Sequence, residues 1–544
     1  MSFVPDTQNK EFQDALNLIQ YTRQSVFLTG KAGTGKSTFL KYICANTKKK
    51  HVVLAPTGIA AINAGGSTLH SFFKLPFYPL LPDDPNFSLQ RGRIHEFFKY
   101  TKPHRKLLEE LELVIIDEIS MVRADIIDAV DRILRVYSRN LREPFGGKQI
   151  LLVGDVFQLE PVVKGDEREI LNRFYPTPYF FSARVFGQID LVSIELQKVY
   201  RQTDSKFIHV LDHIRNNTVG STELQLLNTR YGTQIEQSEA DMYITLATRR
   251  DNVDYINDKK LAELPGDPVT FYGEIMGDFP ESSLPTSQEL VLKPGAQIIF
   301  IKNDFDRRWV NGTIGVISGF DPIEETLYVI TDDGKECDVK RESWRNIRYK
   351  YNEEKKQIEE EELGTFTQYP VRLAWAITVH KSQGLTFSRV VIDFTGGVFA
   401  GGQAYVALSR CTSLEGIQLK KPISRADVFV RPEIVSFSER FNNRTAIDRA
   451  LKQAQADVQY VAAAKAFDKG DFGTFLDEFF KAIHSRYDIE KPNVQRLIRR
   501  KLNIINRLKE ENRALKQAAL EKEKALVKYA REYILMGAEC LKHD

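Results

Sequence analysis

Residues 25–37, SVFLTGKAGTGKS, constrain this chain more than any other stretch. A short β-branched and aromatic run ends in glycines, and a helical pattern, TFLKYI from Thr38, follows. Strand, Gly-rich turn and helix in that order form the context in which GxxxxGK[ST] is a phosphate-binding loop. Gly30, Gly33 and Gly35 let successive backbone N–H groups turn inward without Cβ clashes, making an anion nest at a helix N-terminus. Thr34 and Thr38 belong to the same cradle. Lys36 can reach the β- and γ-phosphates, and the Ser37 hydroxyl is the expected Mg²⁺ ligand of a bound ATP.

Further apolar runs begin at His51 (HVVLA), Leu113 (LVII) and Gln149 (QILLV), separated by helical segments. Such alternation implies a doubly wound parallel sheet with ligands at the carboxyl ends of its strands. Asp117 and Glu118 follow the third strand. An acidic pair there suits a phosphate-loop motor, Asp117 holding Mg²⁺ and Glu118 deprotonating the attacking water. Gln158, after the fourth strand in GDVFQLEPV, can donate to the γ-phosphate or to that water.

At 544 residues the chain has length for roughly three or four domains. The net charge is only +3, so a polyanion site must be a local basic surface. Cys44, Cys337, Cys411 and Cys540 are scattered without metal-site spacing, which points to a reducing compartment. The start is not a signal peptide and no apolar run approaches 18 residues. A cytoplasmic or nucleoid-associated protein without a membrane partner is expected.

The expected organisation is α/β. A first unit spans 1–190 and holds an aromatic and proline-rich protruding insertion at 66–90. A second α/β unit spans 191–430, interrupted at 268–364 by short strands and Gly, Asp and Asn turns that read as a small antiparallel β-barrel. Residues 431–544 read as wholly helical. Within that extension, Glu490 to Ala530 carries twelve Lys/Arg against five Glu.

GKAGTGKS, VVLAPTGIAAINAGGSTLHSFF, VIIDEISMV, GDVFQLEPV, LQKVYRQTDSKFI, ITLATRRDNVDYIN, AWAITVHKSQGLTF and AYVALSR occur in this order. The series resembles the motifs of superfamily-one helicases, most closely the PIF-one branch with 5′-to-3′ polarity. It spans about residues 5–425. The resemblance implies two RecA-like P-loop domains with ATP between them and single-stranded DNA across their tops. It implies a wedge for the first insertion and a barrel-shaped subdomain for the second. It also selects what position alone does not: Arg201 and Arg410 as cations reaching the γ-phosphate from the opposite domain, Gln13 as the adenine-reading amide, and Gly384 as the link between nucleotide state and DNA track.

For DNA, the sequence offers Pro56, Thr57, His70, Phe72, Phe73, Thr248, Arg249, Thr378, His380 and Lys381. Hydroxyls, backbone N–H groups and cations suit phosphates, while His and Phe offer faces for bases. Phe72 and Phe73 read equally well as core, and His380 also reads as a buried histidine. The implied activity is an ATP-dependent 5′-to-3′ helicase, monomeric without DNA, acting on single strands and on duplex or forked DNA. Its rivals are a translocase that strips proteins from single strands and an ATP-switched DNA-binding or loading module. The extension beyond residue 430 matches nothing in the family pattern.

Overall fold

Five largely apolar segments and one short polar one pair in parallel as the first sheet: β1 (Val26–Gly30), β2 (His51–Ala55), β3 (Ser67–Thr68), β4 (Leu113–Ile116), β5 (Gln149–Val153) and β6 (Val192–Leu196), in the order β3-β2-β4-β5-β1-β6. The computed structural model that gives this arrangement describes residues 6–543 except 77, 85–92, 164, 203, 234–241, 307, 353, 355–356, 488–489 and 491. The strand period of two divides the apolar side chains between the faces. Phe27, Leu54, Val114, Ile116 and Leu152 enter one core with the helix Ala124–Tyr137. Val26, Leu28, Val53, Ile115 and Leu151 enter the other, against Phe12 and Leu18 of the helix Lys10–Tyr21 and Phe39 and Ile43 of the helix Lys36–Asn46. Covering on both faces explains why these strands read as unbroken apolar runs.

The first unit does not end at residue 190. β6 pairs with β1 along all five residues, from Val26↔Val192 to Gly30↔Leu196, so the crossing to the second unit comes after Leu196. Nor does the extension begin at 431. The protein forms two compact units, Met1–Leu451 and Lys452–Asp544. Ile434 and Phe437 of the short helix Pro432–Ser438 enter the first core, where Phe437 stacks on Phe181 with ring centroids 4.4 Å apart. Asn442 then finishes the open edge of β6: its side chain accepts from Glu195 N–H at 2.8 Å and donates to Glu195 C=O at 3.0 Å.

The second sheet is also parallel, with Ala376–Thr378, Ile244–Ala247, Val390–Asp393 and Ile417–Leu419 side by side in that order. Its core takes Phe207, Leu211 and Ile214 of the helix Ser205–Arg215 and Val406 and Leu408 of the helix Gln403–Leu408. The chain between 268 and 373 is an all-β insertion. Its strands pair as three separate antiparallel sheets, of two, five and three strands, rather than as one closed barrel. The five-stranded sheet takes in Val371–Leu373, so the insertion runs past residue 364. Its longest element is the hairpin Glu342–Asn352/Gln357–Gln368, which the sequence did not announce.

The segment expected to protrude is packed over its described first half. Leu75 and Leu80 are buried in the first core, and Leu80 N–H donates to Asp125 Oδ2 at 2.9 Å. Its expected tip, 85–90, lies outside the described residues. The compact unit Lys452–Asp544 is helical, as Phe472–Ser485, Pro492–His543 and the end of Arg444–Asp468. Phe467, Phe475 and Phe479 form its aromatic contacts. From 506 to 541 every residue of the last helix is exposed. Among the described residues no helix is long and apolar enough to cross a membrane.

Candidate active site

β1 ends at Gly30, and the chain turns through Gly33 (φ +81°) and Gly35 (φ +92°) into the helix Lys36–Asn46. A Cβ on Gly33 would lie 2.4 Å from that of Arg201, so only glycine lets the second unit approach the loop this closely. The first N–H groups of the helix have no intrahelical partner and carry its positive end. Lys36 Nζ donates to Gly30 C=O at 2.6 Å and Lys31 C=O at 2.9 Å. Burial pulls its pKa down, while Asp155 and Glu118 pull it back. Thr34 Oγ1 closes the turn by donating to Lys31 C=O at 2.9 Å. Ser37 is exposed and Thr38 half-buried at the helix start. Gln13 is exposed on the helix whose Phe12 packs on Phe39 of the loop helix, and its amide donates to Thr7 C=O at 2.9 Å.

Asp117 and Glu118 leave β4 beside the loop. Glu118 has φ +50°, a left-handed conformation that costs a non-glycine residue about 1–3 kcal/mol and recurs at functional sites. Burial first, and then the Asp117 charge, push its carboxyl up to about 7, in the range where a carboxylate works as a general base. Burial also raises Asp117, whose Oδ1 accepts from Glu118 N–H at 2.9 Å. A hydroxyl at Ser37 and a carboxylate at Asp117 are hard oxygen donors of the kind Mg²⁺ takes, and a cation there would relieve the cost of burying the charge.

Gln383, which sequence reasoning did not select, joins these groups across the two sheets. Its Nε2 donates to Glu118 Oε2 at 2.8 Å and to Gln158 Oε1 at 3.2 Å. The neighbouring Gly384 has φ +83° with no atom within 4 Å of a would-be Cβ. Its contribution is the turn that presents Gln383.

Arg201 stands beside Gly33 of the loop, and Arg410 lies within electrostatic reach of Glu118. Arg201 Nη1 donates to Ser409 C=O at 3.2 Å. Arg410 is buried, and its guanidinium donates only to neutral oxygens: the carbonyls of Val406, Ser382 and Leu385 and the Ser409 hydroxyl. Burial, then the Arg201 charge, push its pKa down to about 9. Two buried or half-buried cations whose described hydrogen bonds go to neutral oxygens suit a developing anionic charge.

Three further ties were missed. Lys31 pairs with Asp212 at 2.6 Å, Ala32 N–H donates to the Tyr405 hydroxyl at 2.9 Å, and buried Arg215 holds Asp155 at 3.1 Å and Glu195 at 2.9 Å. Asp155 and Tyr405 lie inside quoted motifs, but Asp212 and Arg215 had no sequence signal. They are ordinary charges on an amphipathic helix until the fold brings them to partners 20 to 181 residues back along the chain.

The DNA candidates divide. Pro56 and Thr57 follow β2, and the Thr57 hydroxyl caps the next helix by accepting from Ala60 N–H at 3.2 Å. The pairing Ala247↔Thr378 brings Thr248 and Arg249 to the same strand ends as Thr378, His380 and Lys381. Arg249 and Lys381 are exposed cations, and the Thr378 hydroxyl accepts from Lys381 N–H at 3.2 Å. His70 and His380 are half-buried, and burial lowers both imidazole pKa values, leaving neutral faces at pH 7. Phe72 and Phe73 are corrected. They are 4% and 0% exposed, pack edge-to-face at 4.8 Å inside the first core, and offer no face to a base.

A family profile described as PIF1-like helicase matches residues 4–225. The chain is similar to the ATP-dependent DNA helicase PIF1 of Homo sapiens, 33% identical over 415 residues, which cover 73% of this chain and 58% of that protein. It is similar to the ATP-dependent DNA helicase Pif1 of Bdellovibrio bacteriovorus, 31% identical over 79% of this chain and 91% of that one. The crystal structure of Bacteroides sp Pif1 in complex with ADP-AlF4 is 42% identical, with TM-score 0.72 over 79% of this chain and 96% of that chain. Bacteroides Pif1 bound to ssDNA superposes with TM-score 0.58, so the arrangement seen here is nearer to the former. The chain spans about 58% of the length of the human relative.

Proposed function

The chain belongs to the PIF1-like helicase family, and from that premise we propose that it is an ATP-dependent DNA helicase moving 5′-to-3′ along single-stranded DNA to unwind duplex or structured DNA. The observation that carries the reading is the Gln383 amide bonded to both Glu118 and Gln158, with Arg201 beside Gly33 of the loop. A module that only switched on ATP would not need a poised base, a sensing amide and two opposing arginines.

ATP would seat its phosphates in the nest of Gly30, Gly33, Thr34, Gly35, Ser37 and Thr38, with Gln13 toward the adenine. Phosphate entry competes with Tyr405 for the Ala32 N–H. Lys36 meets the γ-phosphate from one side and Arg201 and Arg410 from the other, where charge accumulates during transfer. Mg²⁺, for which Ser37 and Asp117 are the fitting donors, would supply charge neutralisation on the phosphates. Glu118 takes the proton of the attacking water, and Gln158 reports the terminal phosphate. Gln383 passes that state to His380 and Lys381, three and two residues away on the proposed DNA track. Closing and reopening of the cleft would then alternate grip on the strand through Pro56, Thr57, His70, Thr248, Arg249 and Thr378.

The same reading makes both sheets RecA-like domains, residues 66–90 a wedge and the all-β insertion a further subdomain. Single-stranded and forked DNA as partners are supported by two similar structures, each 41% identical to this chain: Bacteroides Pif1 bound to ssDNA, and two coordinating Pif1 helicases unwinding forked dsDNA. Duplexes with a 5′ or a 3′ single-stranded tail test the proposal, with and without ATP, beside Lys36→Ala. Unwinding confined to 5′-tailed substrates, ATP-dependent and lost in the variant, is expected. Unwinding by Lys36→Ala would remove the motor assignment. ATP-driven release of a bound protein without strand separation would favour the translocase.

A further inference from the structure

The helix Ser205–Arg215 buries Phe207, Val210, Leu211 and Ile214 and turns His209 and His213 outward, one helical turn apart. Beside them stands Glu223, at the third position of the helix Ser221–Asn228. The ligand atoms of these three side chains all lie within 4.8 Å of one another. Tetrahedral Zn²⁺ places its ligand atoms about 3.3 Å apart, a closure that side-chain rotation can supply.

Two hydrogen bonds prepare the donors. His213 Nδ1 lies 3.2 Å from Thr218 C=O and 2.9 Å from its hydroxyl. With Nδ1 donating to that carbonyl, the Nε2 lone pair is left for a metal. That is the backbone-anchored tautomer usual in metal-ligating histidines. Glu223 Oε2 accepts from Gly220 N–H at 2.8 Å, which orients the carboxylate, and its hydrogen bonds hold its pKa down so that it is ionised near neutral pH. The neighbouring acid on the helix, Asp212, is engaged by Lys31 and does not compete.

We propose that His209, His213 and Glu223 form a site for a divalent transition metal of the zinc class, apart from the nucleotide site and with its fourth position open. Two imidazoles and one carboxylate suit Zn²⁺ over Mg²⁺ or Ca²⁺, which take oxygen ligands. The metal would cross-link two helices. One of them carries Asp212 and Arg215, which hold the phosphate loop and Asp155, so occupancy stiffens the support of the nucleotide site.

The test is Zn²⁺ alone, titrated into the full chain against a chromogenic chelator, beside His209→Ala/His213→Ala and Glu223→Gln. Glutamine keeps the acceptor for Gly220 N–H, so that variant retains the helix start and removes only the charged ligand. One site is expected in the parent chain. Its affinity should fall in both variants by more than the roughly 10–100-fold typical of losing an outer-shell partner. Co²⁺ alone should give d–d bands without thiolate charge transfer. Equal affinity in the parent and the double variant, or a thiolate band, would overturn the assignment.

Discussion

The Gln383 side-chain amide donates to Glu118 Oε2 at 2.8 Å from a loop 265 residues later in the chain. The same nitrogen reaches Gln158 Oε1 at 3.2 Å, so one side chain of the second sheet holds the base and the sensor of the first. A hydrogen bond to a charged group contributes about 1.5–3 kcal/mol, roughly 10–100-fold in a rate that depends on it. Gln383→Ala should therefore lower DNA-stimulated ATP turnover by about that factor while ATP affinity stays within a few-fold. Basal turnover should fall less, because the proposed coupling runs from DNA contacts to the site through this loop. An unchanged ratio of stimulated to basal turnover would show the bond to be packing only.

Glu118 sets a pH limb. Its carboxyl is pushed up to about 7, and a general base must be ionised, so kcat/KM for ATP should be low near pH 6 and rise with pH through the neutral range. Glu118→Gln should bind ATP and DNA, turn over about 10²–10⁴-fold more slowly and lose the limb. A limb that persists in the variant would assign it to another group.

Among the described residues Arg410 donates to neutral oxygens, and burial, which outweighs the pull of Glu118 and Asp155, holds its pKa near 9, so an anion entering the loop gains a cation that no carboxylate has hydrogen-bonded. Arg410→Ala should cut hydrolysis by about 10³–10⁵ and leave nucleotide affinity within a few-fold. Lysine should not restore the rate, because a compact ammonium cannot reproduce the planar donor fork. Single-turnover hydrolysis beside nucleotide binding separates the two effects, and parallel losses in both would make Arg410 a structural residue.

Arg215 is a buried charge with two buried or half-buried acids, and it lies over the Phe157 ring at 4.2 Å. Removing one partner of such a set strands the others, at about 3–5 kcal/mol. Arg215→Ala should lower the urea midpoint accordingly. Arg250→Ala, which breaks an exposed pair with Asp254, should cost under about 1 kcal/mol. Similar midpoints in the two variants would mean that water reaches Asp155 when Arg215 is gone.

What the sequence disclosed followed from how local its causes are. The strand, glycine turn and Lys36 helix lie within a dozen residues and announce themselves by period and composition. The apolar runs at His51, Leu113 and Gln149 did the same, because burial on both sheet faces leaves no alternation to misread. Phe72 and Phe73 were ambiguous for a physical reason: a ring that stacks on a base and a ring that fills a core have the same composition. β6 was given to the wrong unit because its partner, β1, lies more than 160 residues away. Gln383 sat inside a quoted motif, yet nothing local distinguishes an amide that bridges two carboxyl-side loops from one in solvent. The three-sheet form of the insertion was hidden likewise, since short strands predict pairing but not closure.

The end of the motor supplies the last expectation. A chain cut after 430 loses Phe437 from among Phe27, Phe180 and Phe181, and Asn442 from the edge of β6. Deleting one buried aromatic side chain alone costs about 3–5 kcal/mol, so this truncation should be unstable or insoluble. A chain cut after Leu451 keeps both and should remain a folded ATPase. The deleted part then carries the basic stretch from Glu490 to Ala530, with twelve Lys/Arg against five Glu. If that helix contacts phosphates, full-length protein should bind single strands more tightly than the 1–451 chain at low salt. Its log–log salt slope should be steeper by about 0.7 for each phosphate neutralised. Fluorescence anisotropy at two salt concentrations decides it. Equal affinity and equal slopes would remove DNA from the helix's account, leaving its exposed Leu508, Leu515, Leu526 and Tyr533 as a surface for protein.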